Sequence, residues 1–261
     1  MPLRQQRANQ DALQKRRFHP VGFLFVLITG LVAGTISGIV GTGSSIMLMP
    51  VLVYQYGPKQ AVPIMAVASV LANLARVAAW WREVDWRACA AYSLAGIPAA
   101  ALGARTLLAL PSRAVDISIG VFLIAMVPVR HYLARHQLKA RLWHLALGGA
   151  VIGYLTGIVV STGPLSVPLF LFYGLTKGAF LATEAASSLG LYLSKSLIFE
   201  RFGALTTDLL LKGLIAGASL MAGAFIAKRF VLRLEADVFR LVMDAIMLAA
   251  GLSLLWTAAT A

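Results

Sequence analysis

The sequence predicts an all-α polytopic membrane protein with two homologous repeats, each containing one broken or re-entrant helix. Of its 261 residues, 59% are hydrophobic and only 13% are charged, whereas a soluble domain carries roughly 25% charged residues. Several apolar runs approach or exceed the ~20 residues that cross a bilayer as a helix. Two of these runs are interrupted by small and hydroxyl-bearing residues, at 38–45 and at 157–164.

The two interruptions lie in corresponding halves of the chain. The first reads GIVGTGSS and the second GIVVSTGP. A helix break at membrane depth is tolerated only where protein or a water-filled cavity satisfies the freed backbone groups. The start of the following half-helix directs free N–H groups at an anion. Paired broken segments therefore indicate a transport site, and we expect the two breaks to meet around it.

The chain divides into four regions. Residues 1–20 are polar and basic and are predicted to form a cytoplasmic tail. Residues 21–132 are predicted to form the first transmembrane repeat, residues 133–144 a basic linker, and residues 145–261 the second transmembrane repeat. The boundaries follow the alternation of long apolar runs with short basic segments.

Each repeat is expected to contain four longer spans and one short limb that follows the break. The limbs, at 46–56 and 165–173, are too short to cross a bilayer alone as helices. The longer spans are predicted at 21–40, 59–82, 88–110, 113–132, 145–160, 177–200, 205–228 and 238–257.

Matching Gly38 with Gly157 and Pro50 with Pro168 indicates an internal repeat of roughly 115–120 residues. The positive-inside rule assigns the tail and the linker to the cytoplasm, which requires parallel repeats. The basic turn at 228–240 disagrees with that arrangement. A full hairpin at each break would make the repeats inverted, and both topologies stay open, with about eight to ten crossings.

Composition argues against several other classes of protein. The net charge of +13 comes from basic residues at the ends of apolar runs, so we expect contact with anionic lipids and no nucleic-acid binding. A single cysteine excludes an intrachain disulfide. We find no nucleophile–base motif and no metal-ligand spacing, so we predict no enzyme activity, no catalytic residues, no metal and no cofactor.

Four stretches together resemble one known family: GTISGIVGTGSS at 34–45, PVL at 50–52, VDWR at 84–87, and GIVVSTGPLSVP at 157–168. They are similar to the TauE/SafE family, the permeases of the sulfite-exporter and toluene-sulfonate-uptake type. The resemblance covers nearly all of residues 21–257. It implies a multi-pass secondary transporter of sulfite, sulfonates or related organosulfur acids in the bacterial inner membrane. The family commonly has a run of glycines after the first break, where this chain has Thr42-Gly43-Ser44-Ser45, so the substrate does not carry over.

The candidate substrate-binding residues are the polar groups at the breaks and inside the two following spans. Arg76 and Lys195 lie within apolar spans, where a charged side chain normally faces the bundle interior, although each is also near enough to its helix end to snorkel. The full set is Thr42, Gly43, Ser44, Ser45, Asn73, Arg76, Ser161, Thr162, Gly163, Ser188, Tyr192 and Lys195.

Glu184 is the candidate proton-coupling group. It lies about two turns into the span 177–200 and shares a helical face with Ser188, Tyr192 and Lys195. A structural pair with a basic residue of another helix is the alternative. We expect a small anionic substrate and a bilayer containing anionic lipids as partners, and a homodimer is a candidate assembly. A passive anion channel and a membrane-embedded enzyme are the competing functions.

Overall fold

The computed structural model describes residues 20–40, 43–135, 139–159, 162–175 and 177–229, together with short helical pieces between 244 and 259. The described residues form α-helices and one short 3-10 helix and contain no strand, which confirms the all-α prediction. Residues 1–19 of the predicted tail, Thr42, Ser161 and most of the basic turn at 228–240 lie outside the described residues.

Nine helices lie within the described residues between 20 and 229. Their bounds agree with the predicted spans to within two residues, except at the linker. The helix before it continues to Arg135, beyond its expected end at 132, and the helix after it begins at Leu142, before its expected start at 145. They are α1 (Pro20–Val40), α2 (Ser44–Tyr56), α3 (Pro58–Trp80), α4 (Trp86–Ala109), α5 (Ser112–Arg135), α6 (Leu142–Ile158), α7 (Gly163–Phe172), α8 (Lys177–Arg201) and α9 (Thr207–Arg229), with the 3-10 helix Trp81–Glu83 between α3 and α4.

Local chemistry accounts for where several of these helices begin. Gly43 precedes α2 with a φ of +106°, a conformation that favours glycine because it has no Cβ. Asp85, from the VDWR loop, caps α4 by accepting hydrogen bonds from the N–H groups of Arg87 and Ala88. The N–H of Asp85 donates to Thr183 Oγ1 at 2.9 Å, so the same loop also attaches α4 to α8.

The helices of one half pack mainly against those of the other. α1 lies along α9, α6 lies along α4, and α3 lies against α8. Glycines permit the closest of these contacts. Gly149 and Gly153 of α6 face the backbone of Tyr92 and Gly96 in α4, and Gly34 of α1 faces the backbone of Leu220 in α9. Small residues at helix interfaces are typical of membrane proteins, because they allow two backbones to approach closely.

The polarity of the described residues is that of a protein in an apolar environment. Leucine, phenylalanine and tryptophan side chains are exposed along most helices, whereas Asn73, Glu184 and Lys195 are buried. Two helices, Lys59–Glu83 and Thr207–Ala227, are long and apolar enough to cross a membrane by length and composition. Two shorter helices, Leu24–Gly38 and Leu142–Ile158, are also apolar.

We expect Gly153→Ala to lower the free energy of unfolding by roughly 1–3 kcal/mol, because its Cβ would overlap the carbonyl oxygen of Gly96. Gly190→Ala is the matched control, since there the nearest atom is the end of the flexible Ile97 side chain. Chemical unfolding in detergent measures both changes. Equal stability of the two variants would contradict the close α4–α6 contact.

Candidate functional site

Residues that flank the two breaks line one small cavity inside the helix bundle. α2 contributes Ser44 and Ser45 to its wall, and the start of α7 contributes Gly163. α3 and α8 supply most of the remaining polar side chains, and Ser37 of α1 and Thr162, directly before α7, supply the others. The complete lining is Ser37, Gly43, Ser44, Ser45, Ser69, Ala72, Asn73, Arg76, Thr162, Gly163, Glu184, Ser188 and Tyr192.

Two helix N-termini reach this cavity. Gly43 and Thr162 occupy the N-cap positions of α2 and α7, and within the described chain neither gives a side-chain hydrogen bond to the first turn of its helix. The N-terminal N–H groups of a helix have no partner within the helix and carry a partial positive charge. The two starts together therefore form a partly positive wall.

An ion pair joins the two halves of the chain across the cavity. Arg76 Nη1 of α3 donates to Glu184 Oε2 of α8 at 3.0 Å. The other oxygen, Oε1, accepts hydrogen bonds from the hydroxyls of Ser166, at 3.0 Å, and Ser188, at 2.9 Å. The side chains are only 12% and 4% exposed, so the pair is largely removed from solvent. Both oxygens of the carboxylate are thus satisfied by donors from three helices.

A second row of polar groups continues from Arg76 along α3. Arg76 Nη2 donates to Asn73 Oδ1, and Asn73 Nδ2 donates to the carbonyl oxygen of Ser69 at 2.8 Å. The hydroxyl of Ser69 lies 3.4 Å from that of Ser45. Tyr192 of α8 hydrogen-bonds with both serines. This row connects the arginine to the start of α2 and fixes the guanidinium in one orientation.

The structure brings together most of the residues singled out from the sequence. The cavity wall contains Glu184 and nine of the substrate-binding candidates, namely Gly43, Ser44, Ser45, Asn73, Arg76, Thr162, Gly163, Ser188 and Tyr192. Thr42 and Ser161 fall outside the described residues. Lys195 is not part of the wall.

The ammonium of Lys195 contacts the end of α6. Nζ donates to the carbonyl oxygens of Thr156 and Val159 at 2.7 and 2.8 Å. Lys195 is therefore buried in the protein and does not snorkel to the surface, but the structure does not bring it to the cavity.

Sequence reasoning missed three polar residues at this site. Ser37 and Ser69 line the cavity, and Ser166 binds Glu184 from the first turn of α7. Ser69 precedes Asn73 by one helical turn, so the helical period of α3 could have identified it. Ser166 follows Gly163 by three residues, so the helical period places both on one face of α7.

The space inside the cavity is very small. Its volume is about 20 Å³, which is enough for about one water molecule. A tetra-atomic oxyanion needs more room than this, so the helices must separate before one can bind. A larger cavity of about 300 Å³ lies elsewhere, lined largely by apolar side chains around Lys59 and Leu107.

The model of the sulfite exporter TauE/SafE family matches residues 26–254 of the chain. The chain belongs to this family. Probable membrane transporter protein YjnA of Bacillus subtilis (strain 168) is 24% identical over 257 residues, which cover 88% of this chain and 98% of that protein. No solved structure matches the chain significantly. Family and relative both indicate a membrane transporter rather than an enzyme.

We expect Arg76→Met and Glu184→Gln each to lower the free energy of unfolding by about 3–5 kcal/mol, since each leaves a buried charge or polar group without its partner. The double variant should lose less than the sum, with a coupling of about 1–3 kcal/mol. Unfolding of all four proteins measures this coupling.

The pair Asp208–Lys212, whose carboxylate is half-exposed, is the control for that cycle. Its coupling should be about 0–1 kcal/mol, because solvent screens the exposed carboxylate. Similar couplings for the two pairs would contradict the special environment of Arg76 and Glu184.

Proposed function

We propose that this TauE/SafE member is a multi-pass secondary transporter of small anions in the bacterial inner membrane, with sulfite, sulfonates or related organosulfur acids as substrates. The observation that carries the proposal is the convergence of two helix N-termini and Arg76 on one buried cavity. The sulfur chemistry rests on the family alone. The anion preference rests on the residues of the cavity.

The cavity offers an oxyanion three kinds of donor. The first turn of α2 presents backbone N–H groups, which bind anions because the helix dipole is positive there. The start of α7 adds the N–H of Gly163, since Pro164 has none and the N–H groups of Leu165 and Ser166 donate to the carbonyl oxygen of Thr162. The hydroxyls of Ser44 and Ser45 are short neutral donors at the same wall. Arg76 adds a planar guanidinium, which binds the oxygens of an oxyanion through two parallel hydrogen bonds.

Competition for Arg76 supplies a mechanism of proton coupling. In the closed cavity, Glu184 holds the guanidinium. An incoming monoanion that takes over Arg76 leaves the buried carboxylate without its cation, and a proton bound by Glu184 restores the charge balance of the site. One anion and one proton enter together, so the charge of the site is unchanged. Departure of the anion returns the carboxylate to Arg76 and releases the proton.

The small volume of the cavity favours a carrier over a passive channel. A channel requires a continuous path for the ion, whereas this site has room for about one water molecule. Reciprocal packing of α1 on α9 and α6 on α4 supports the two-repeat architecture proposed for the membrane fold. Movement of one half against the other would open the cavity to either side.

Purified protein in liposomes should take up sulfite or small sulfonates faster than empty liposomes, and should not take up sodium or neutral polyols. The measurement is a panel of radiolabelled or fluorescently detected solutes under an imposed proton gradient. Uptake of neutral or cationic solutes in preference to every oxyanion would overturn the proposed function. Uptake that saturates and requires the gradient would distinguish a carrier from a channel.

We expect anion uptake by the wild type to increase as the entry side becomes more acidic, because Glu184 accepts its proton there. Glu184→Gln cannot carry that proton, so its uptake should be at least tenfold slower and nearly independent of pH. Glu200→Gln is the matched control, since Glu200 is exposed near the end of the same helix. Wild-type pH dependence in Glu184→Gln, with folding verified by thermal unfolding, would exclude Glu184 as the coupling group.

A further inference from the structure

Lys195 is the most deeply buried cation among the described residues, with 1% of its surface exposed. Its Nζ donates to the carbonyl oxygens of Thr156 and Val159. These carbonyls belong to the last turn of α6 and the residue that follows it, directly before the second break. The last carbonyl groups of a helix have no partner within the helix. Lys195 satisfies two of them.

The surroundings of this ammonium are those of a coordinated cation. The two backbone oxygens lie at 2.7 and 2.8 Å, and the ring centroid of Phe199 lies 5.5 Å from Nζ. Within the described residues, no carboxylate forms an ion pair with Lys195. Helix C-termini and unwound backbone carbonyls form this kind of environment for a free monovalent cation in transporters with interrupted helices.

We propose that the Lys195 ammonium is a tethered cation, which occupies at the second break the position that a free monovalent cation would otherwise take. The side chain carries the cation on α8, so binding requires no ion from solution. The proposal rests on the proposed function, because it assigns Lys195 to the interrupted helix of that transport site.

The tether positions the start of α7. Thr156, whose carbonyl binds Lys195, also forms a hydrogen bond through its hydroxyl with the hydroxyl of Thr162. Thr162 is the N-cap of α7 and part of the cavity wall. A chain of contacts therefore runs from the ammonium through Thr156 to the anion site. Lys195 acts as a positioning residue that never touches the anion.

Chemical rescue of Lys195→Ala tests the proposal. The substitution removes three methylenes and the ammonium. The space that they leave matches the size of n-propylammonium. We expect the melting temperature to fall by about 5–10 °C and to recover by at least half at saturating n-propylammonium. Tetramethylammonium should not restore it, because it has no N–H donor. Anion uptake should fall and recover together with the melting temperature.

Lys212→Ala is the matched control, because Lys212 is also buried but pairs with Asp208 at the start of α9. n-Propylammonium should leave its melting temperature unchanged. Lys195→Met should melt below the wild type and resist rescue, since its side chain fills the space. Exchange of sodium for choline should leave the wild type unaffected in both stability and uptake.

Three results would overturn the proposal. The first is a Lys195→Ala protein that melts like the wild type or does not respond to the amine. The second is equal stabilisation of Lys212→Ala by the amine. The third is a Lys195→Met protein that melts and takes up anions like the wild type. This variant decides the question if Lys195→Ala does not fold with or without the amine. Melting temperatures are measured without transport. The test therefore still holds if the protein transports a different class of substrate.

Discussion

Helix ends inside a protein must find partners for their unpaired backbone groups, and this requirement governs the architecture at both breaks. α2 and α7 begin in the interior, and residues at both helix starts line the cavity. α6 ends in the interior too, and its last carbonyls are satisfied by the ammonium of Lys195. The end of α6 thus holds a cation, and the start of α7 contributes to a partly positive site.

The Arg76–Glu184 pair contributes more to the proposed proton coupling than to the stability of the fold. Removing two charges from water costs about as much as their attraction returns, so a buried pair is weak evidence for a stabilising role. Here both oxygens of the carboxylate are satisfied by Arg76, Ser166 and Ser188. A pair so balanced can be exchanged for an anion and a proton without a large net cost. That exchange is the basis of the coupling we propose.

Glycine packing makes the cavity possible by bringing the two halves together. The contacts of Gly149 and Gly153 with α4, and of Gly34 with α9, are contacts between backbones. Larger residues would hold these helices further apart. The α3–α8 contact that joins Arg76 to Glu184 lies between these two close pairs of helices. If a larger residue displaced one of these helices by the width of a side chain, the guanidinium of Arg76 would move away from the carboxylate of Glu184.

The sequence by itself determined the helical class, the positions of the helices and most residues of the candidate site. Interrupted apolar runs and helical periodicity are local properties, and they identified Ser44, Gly163 and Glu184 without knowledge of the fold. Only the tertiary structure decided which partners the charged residues have. Arg76 and Lys195 are alike in sequence, since each lies in an apolar span close to its end. Packing directs Arg76 to Glu184 and Lys195 to the end of α6, because a helical period defines a face but not the helix that opposes it.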